Sequence, residues 1–100
     1  TVNNTGAKME FEHKKFGKCV LLEINQKMLE DFHREMIGKE TQPLSVWRGD
    51  SVRAAVKCGF MVEPKWTLED VDNAKPAHIV WLADCIAKLI SEAMNLDPLS

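Results

Sequence analysis

The segment that most constrains the fold is residues 76–94, a long stretch with helical spacing that carries apolar side chains on two sides. One stripe is formed by Ile79, Leu82, Ala83, Ile86, Ile90 and Ala93. A second stripe, formed by Trp81, Cys85 and Leu89, is displaced from the first by roughly 90–150°, because successive helical residues turn by about 100°. Such a helix either lies at the centre of the chain's own core or is shared with a partner.

The N-terminal third of the chain predicts a β-hairpin. Residues 1–8 are polar and are expected to form a flexible tail. Residues 9–13 alternate apolar and polar side chains, which is the period of a half-buried strand, and residues 18–24 form a second, more apolar strand. Gly17 suits the turn between them. Because a lone hairpin is marginal in water, this one must pack on helices or on another chain.

Two amphipathic helices are predicted to follow the hairpin. Asn25 is a good N-cap for the first, and Gly38 can end it. Its apolar face is formed by Met28, Leu29, Phe32 and Met36. The second helix starts at Ser45 or Asp50 and ends at Gly59.

Residues 60–66 are apolar but contain Pro64, which forbids a simple helix. Residues 67–70 (TLED) fit a capping pattern, so a short helix is expected at 68–72. Asp72 or Asn73 should cap the long last helix, whose first turn suits Pro76. The sequence therefore predicts one α+β domain over residues 9–98, with an N-terminal hairpin packed on three to four helices. At 100 residues, the chain has room for one modest core.

Cys19, Cys58 and Cys85 are far apart, and none belongs to a C-x-x-C pair. Each lies among apolar residues, so we expect reduced core cysteines in a cytosolic protein. One disulfide plus a free thiol is the alternative. The three histidines are isolated from one another and from the cysteines, so neither a metal site nor a cofactor is expected.

The motifs of common enzymes are missing from the sequence. Phosphate-binding glycine loops are absent, and His78 and Cys85 lie seven residues apart, roughly 10 Å along a helix and too far for direct proton transfer. We therefore expect no catalytic residues and no enzymatic activity. No apolar run approaches the roughly 18 residues that span a bilayer.

The formal net charge of −2 provides no general attraction to nucleic acid. A DNA-binding regulator that uses Arg48, Arg53 and Lys57 is a minor alternative. The chain also has three Trp, five Met and no Tyr, and Trp is favoured at protein interfaces. We predict a partner-binding surface, with a homo-oligomer or a client protein as partner. Its expected residues are Trp81, Cys85, Leu89, Trp66 and Trp47.

Several segments of the chain are informative together: residues 66–76 (WTLEDVDNAKP), 80–83 (VWLA), 92–93 (EA), 97–98 (DP), 11–13 (FEH) and 52–55 (VRAA). They resemble segments in a group of short tailed-phage morphogenesis proteins, some of which are tail assembly chaperones. The resemblance covers residues 9–98 and contains no catalytic signature. It implies a factor in the host cytoplasm that binds a viral structural protein, often as an oligomer.

A phage inhibitor of a host defence nuclease is the alternative function. Such an inhibitor would act by occluding a surface of the nuclease, and an acidic face that mimics phosphates is typical of it. A modest acidic cluster is available for this role: Glu63, Glu69, Asp70 and Asp72.

Overall fold

The computed structural model describes residues 2–5 and 8–95 and shows an α+β fold. Its elements in chain order are β1 (Val2–Thr5), β2 (Lys8–His13), β3 (Gly17–Leu22), α1 (Gln26–Met36), α2 (Leu44–Cys58), β4 (Met61–Glu63), α3 (Leu68–Asn73) and α4 (Pro76–Ala93). The strands form one antiparallel sheet in the order β1-β2-β3-β4. The predicted fold class, with its hairpin and long C-terminal helix, is confirmed.

The hairpin of β2 and β3 directs one row of apolar side chains towards the helices. Met9 pairs with Leu21 and Phe11 with Cys19, so all four side chains lie on the same face of the sheet, and all are buried. Gly17 has a φ of 87°, which provides the left-handed backbone needed at the turn.

The expected N-terminal tail contains a strand, which corrects the prediction for residues 2–5. These residues form β1 and pair with β2, with Val2 opposite Phe11 and Thr5 opposite Lys8. The edge of β2 has a row of backbone N–H and C=O groups that need hydrogen-bond partners. A polar segment can form these hydrogen bonds through its backbone, so it needs no apolar side chains to pair as a strand. Residues 1, 6 and 7 of the predicted tail lie outside the described residues, as do residues 96–98 of the predicted domain.

The helix ends follow local chemistry. The Asn25 side chain accepts a hydrogen bond from the Met28 backbone N–H at 2.9 Å, and Thr67 and Asp70 form the reciprocal capping box at the start of α3. Gly59 ends α2 in a left-handed conformation. Helix α2 begins at Leu44, one residue before Ser45 and six before Asp50, the two predicted starts.

Lys75, and not Asp72 or Asn73, is the N-cap of α4. Both predicted capping residues belong to α3, which continues to Asn73. Pro76 occupies the first helical turn as predicted, where its missing N–H costs no hydrogen bond.

The connector at residues 60–66 contains the short strand β4. It pairs with β3, and the Leu22 backbone N–H donates to the Phe60 carbonyl at 2.8 Å. Pro64 follows the strand directly, where its missing N–H leaves the ladder intact. Three residues are too few for the alternation of a strand to be recognised in a sequence.

The core lies between the sheet and the helices. Helix α4 packs on α2 and on β3, while α1 and α3 each pack on α2. The largest fully buried side chains come from β3, α2, α4 and the residue before β4: Phe60, Leu21, Leu82, Ile86, Val52 and Cys19.

Candidate functional site: an apolar groove between α1 and α4

The second apolar stripe of α4 belongs mainly to the core of this chain. Cys85 and Leu89 are each 2% exposed and are part of the core cluster. Their predicted role in facing a partner is therefore corrected. The reason is that α4 lies between α2 and the sheet, so its two stripes face two layers of the same fold. The sequence left open whether this helix lies at the centre of the chain's own core or is shared with a partner. In the structure, it lies at the centre of the core.

The three tryptophans are half-buried and lie in two places. Trp66 and Trp81 both lie near His78, with ring centroids 4.8 Å and 6.0 Å from that imidazole. Trp47 lies elsewhere, at a groove between α1 and α4. The structure thus separates the predicted partner-binding residues into a buried pair, an aromatic cluster and one groove residue.

This groove, which we call the α1–α4 groove, is the candidate functional site. Its volume is about 500 Å³, and most of its lining is apolar. It is lined by Phe32, His33, Met36, Ile37, Glu40, Trp47, Ser51, Ala83, Ile86, Ala87, Ile90, Ser91 and Met94. A concave, mainly apolar surface with few polar groups is typical of binding sites in proteins.

The groove exists because α1 and α4 each pack on α2 while making little contact with each other. Helix α2 therefore contributes to the bottom of the groove through Trp47 and Ser51. The Ser51 hydroxyl donates to the Arg48 carbonyl at 2.8 Å, so its proton is already used. On α4, the small residues Ala83 and Ala87 keep the wall low and allow a close approach.

The dimensions of the groove match a helix. Ala83 and Met94 mark its extent along α4, and this part of the helix spans about 16 Å, or about three turns. Two lining side chains are strongly exposed, Ile37 at 74% and Met94 at 48%. Large apolar side chains left exposed together at a groove often mark an interaction site.

The charge of the groove is sparse and negative. Glu40 is its one carboxylate, and His33 is its other ionisable group. The neighbouring Lys39 is engaged by Asp50, with Nζ and Oδ2 3.3 Å apart. Among the described residues, none forms an ion pair or side-chain hydrogen bond with Glu40. This carboxylate is therefore available to a basic residue of a partner.

The basic cluster predicted from the sequence is largely paired within the chain. Arg53 bonds Asp50 at 2.9 Å and Asp72 at 2.7 Å, and Lys57 bonds Glu35 at 3.2 Å. In the acidic cluster, Asp70 accepts from the Thr67 backbone N–H. Since both clusters are partly neutralised internally, they give less support to a DNA-binding face or to an acidic mimic of phosphates.

The structure brings two of the cysteines together. Cys19 on β3 and Cys85 on α4 are both buried, and hydrogen bonding to Cys85, followed by burial, raises the pKa of the Cys19 thiol. Burial also raises the pKa of Cys58, which is only partly buried. All three are free thiols in this structure.

We expect three free thiols when the protein, prepared without reductant, is denatured and titrated with a thiol reagent. In the native protein, the half-exposed Cys58 should react first, because Cys19 and Cys85 are buried. A reduced sample provides the reference count. A single thiol in the unreduced, denatured sample would reveal one disulfide and contradict the reduced core.

Most of the groove was not predicted from the sequence, including Ile37, Ala87 and the position of Met36 in its lining. Two signals were available. Ile37 is an apolar residue beside the capping Gly38, outside the helical stripe. The five methionines are the second signal, because methionine adapts to irregular binding surfaces, and two of them, Met36 and Met94, line the groove.

Comparison of the chain with protein-family models, curated proteins and solved structures gives no match. Over residues 2–5 and 8–95, no group of three or more His, Cys, Asp or Glu side chains could hold a metal ion. Within the same part of the chain, no helix combines the length and hydropathy needed to cross a membrane.

Proposed function

We propose that this protein is a non-enzymatic protein-binding factor, whose α1–α4 groove receives an amphipathic helix of another protein. The observation that carries the proposal is the groove itself: an open, apolar channel about three helical turns long, with exposed Ile37 and Met94 on its walls. Burying an apolar helix face in such a groove is a common mode of peptide recognition.

The lining predicts the chemistry of the bound helix. Large apolar residues at positions i, i+4, i+7 and i+11 would follow the groove, with the small side chains of Ala83 and Ala87 leaving room for them. The flexible side chains of Met36 and Met94 can adjust to different apolar residues. A Lys or Arg near one end would pair with Glu40, because this is the one fixed charge in the lining.

The groove fits a helix of a different protein better than it fits α1 or α4 of a second copy of this chain. The outer faces of α1 and α4 are charged and present no apolar stripe for insertion. On α1, the exposed face carries ion pairs that join Lys27 and Arg34 to Asp31. On α4, the exposed positions include Asp84, Lys88 and Glu92. Self-association stays a separate prediction, to be tested by the mass of the protein in solution.

The resemblance to tailed-phage morphogenesis proteins gives this activity a context. A tail assembly chaperone would cover an apolar helix of a structural protein in the host cytoplasm until the helix is buried in the assembled tail. A groove that binds through apolar contacts and one charge suits such temporary masking, because release needs no chemical step.

We expect Ala87→Arg to weaken helix binding by about tenfold or more, since a long charged side chain would occupy the groove. The probe is a synthetic peptide with Leu at the four apolar positions and Lys and Gln elsewhere. Binding is followed by calorimetry and by tryptophan fluorescence, to which Trp47 contributes from the groove. Ala77→Arg, the same change at an exposed position of α4 outside the groove, should bind like the wild type.

A scrambled peptide of the same composition tests whether amphipathicity matters. Equal binding of both peptides, or unchanged binding by Ala87→Arg, would contradict the groove as the binding site. Capture from infected cells then tests the context. A tail structural protein should be retained by the wild type and by Ala77→Arg, and lost with Ala87→Arg. Retention of a defence nuclease instead would favour the inhibitor hypothesis.

A further inference from the structure

Five rings join the β2–β3 turn to α4 and form what we call the ring cluster: His13, Phe16, Trp66, His78 and Trp81. At its centre, the His78 imidazole stacks on Phe16 with centroids 4.5 Å apart and planes within 8°. Trp66 meets His78 edge-on at 4.8 Å, and His13 contacts Trp81 at 5.3 Å. The ring cluster is built from side chains outside the α1–α4 groove.

The environment of His78 suits a neutral imidazole. Its Nε2 atom is buried and has no hydrogen-bond partner in the described part of the chain. A protonated imidazole has two N–H donors, so the charged ring would place an unpaired donor in this position. Burial, and secondly the charge of His13, lower the pKa of His78 below the ordinary histidine value.

The other ionisable groups on the contacting segments offer little to balance a charge on His78. The turn contributes Lys15, whose Nζ lies 5.8 Å from the Phe16 ring centroid. Lys65 precedes Trp66, and Lys75 lies one turn before His78. Glu12 adjoins His13 but points to the opposite face of β2, since side chains alternate along a strand.

We propose that the neutral His78 ring latches the β2–β3 turn onto α4, and that protonation of this ring releases the turn. The driving force is the desolvation of an imidazolium whose Nε2–H has no acceptor in the described part of the chain. Release separates Phe16 from His78 and opens the faces of Trp66 and Trp81 to solvent. The strands of the hairpin stay paired, because Met9 and Leu21 are anchored in the core.

The direction of the pH dependence follows from the lowered pKa. Above the ordinary histidine value of about 6.5, the ring is neutral in both the latched and the released state, so the latch has its full stability. As the pH falls below this value, the released state takes up the proton first. The free energy that favours the latched over the released state therefore decreases progressively until the pH passes the lower pKa that His78 has in the latched state.

The test is an NMR titration of the full chain, which follows the Cε1–Hε1 signal of His78, the ring signals of Phe16 and the indole signal of Trp81. His78 should titrate at a lower pH than the same signal in urea-denatured protein, and Phe16 and Trp81 should shift with the same midpoint. His78→Phe keeps a ring for stacking but cannot be protonated at this position, so the transition of Phe16 and Trp81 at the His78 midpoint should disappear. His33→Gln, on α1, should retain it.

Three results would overturn the proposal: a His78 midpoint equal to that of the denatured protein, a transition of Phe16 at the wild-type His78 midpoint that survives in His78→Phe, or a simultaneous transition of Trp47. The last result would mean that the whole domain unfolds, since Trp47 lies at the groove and not in the ring cluster. Circular dichroism over the same pH range gives an independent measure of global unfolding.

Discussion

Leu89→Glu is expected to unfold the domain at neutral pH. Leu89 is 2% exposed and belongs to the core cluster between α4 and the sheet. A carboxylate placed there has no cation to pair with in the core cluster, and burying an unpaired charge costs several kcal/mol even after the surroundings relax. Because small domains are stable by only about 5–15 kcal/mol, a cost of this size together with the lost apolar contacts removes most of the folded population.

Leu44→Glu is the matched control, because it makes the same change at an exposed position on α2. Circular dichroism and light scattering should show a folded protein for this variant and an unfolded or aggregated one for Leu89→Glu. A folded Leu89→Glu variant with wild-type thermal stability would instead place the second stripe of α4 on the surface, and the partner-facing role predicted from the sequence would then be restored.

Leu82→Ala should lower the free energy of unfolding by about 2–5 kcal/mol, which is the range for large-to-small changes in a packed core. Leu82 has no exposed surface and lies at the centre of the α4 contact with the remaining layers. The cavity would be surrounded by elements that hold each other in place, so little collapse is expected. Ile86→Ala, one turn further along the same stripe, should have an effect in the same range.

Urea unfolding gives these free energies directly, provided that the dependence of the unfolding free energy on urea concentration has the same slope in each variant. Leu68→Ala serves as control, since Leu68 starts α3 and is 40% exposed. Its loss should be less than about 1 kcal/mol, because little buried volume is removed. Equal losses for Leu68→Ala and Leu82→Ala would show that α4 is not the centre of the core.

Sequence patterns predicted those parts of the fold that depend on local chemistry. Asn25 and Thr67 cap helices through side chains that reach backbone groups three residues away, and Gly59 ends α2 through its own backbone freedom. The strands β1 and β4 were missed for the opposite reason. Their hydrogen bonds go to distant segments of the chain, and their few residues carry no periodic signal of their own.

For the functional residues too, features that depend on neighbouring residues were predicted, whereas features that depend on contacts between distant segments were not. The spacing of Cys85 and Leu89 correctly placed them on one side of α4, but a sequence does not reveal which layer lies on that side. Trp47 was predicted to bind a partner and does lie at the groove, although that role stays a prediction. The groove itself depends on the separation between α1 and α4, which no pattern within either helix specifies.

The attachment of α1 has a consequence for the motions of the molecule. Its principal packing partner is α2, to which it is also tied by the Lys57–Glu35 pair, whereas α4 is held by both α2 and the sheet. Because the opening energy of a segment follows the contacts that it must break, α1 is the wall of the groove that moves at the lower energetic cost. The width of the groove is therefore expected to vary among the conformations of the native state. With α4 fixed and α1 able to move, the same groove would accommodate helices with side chains of different size.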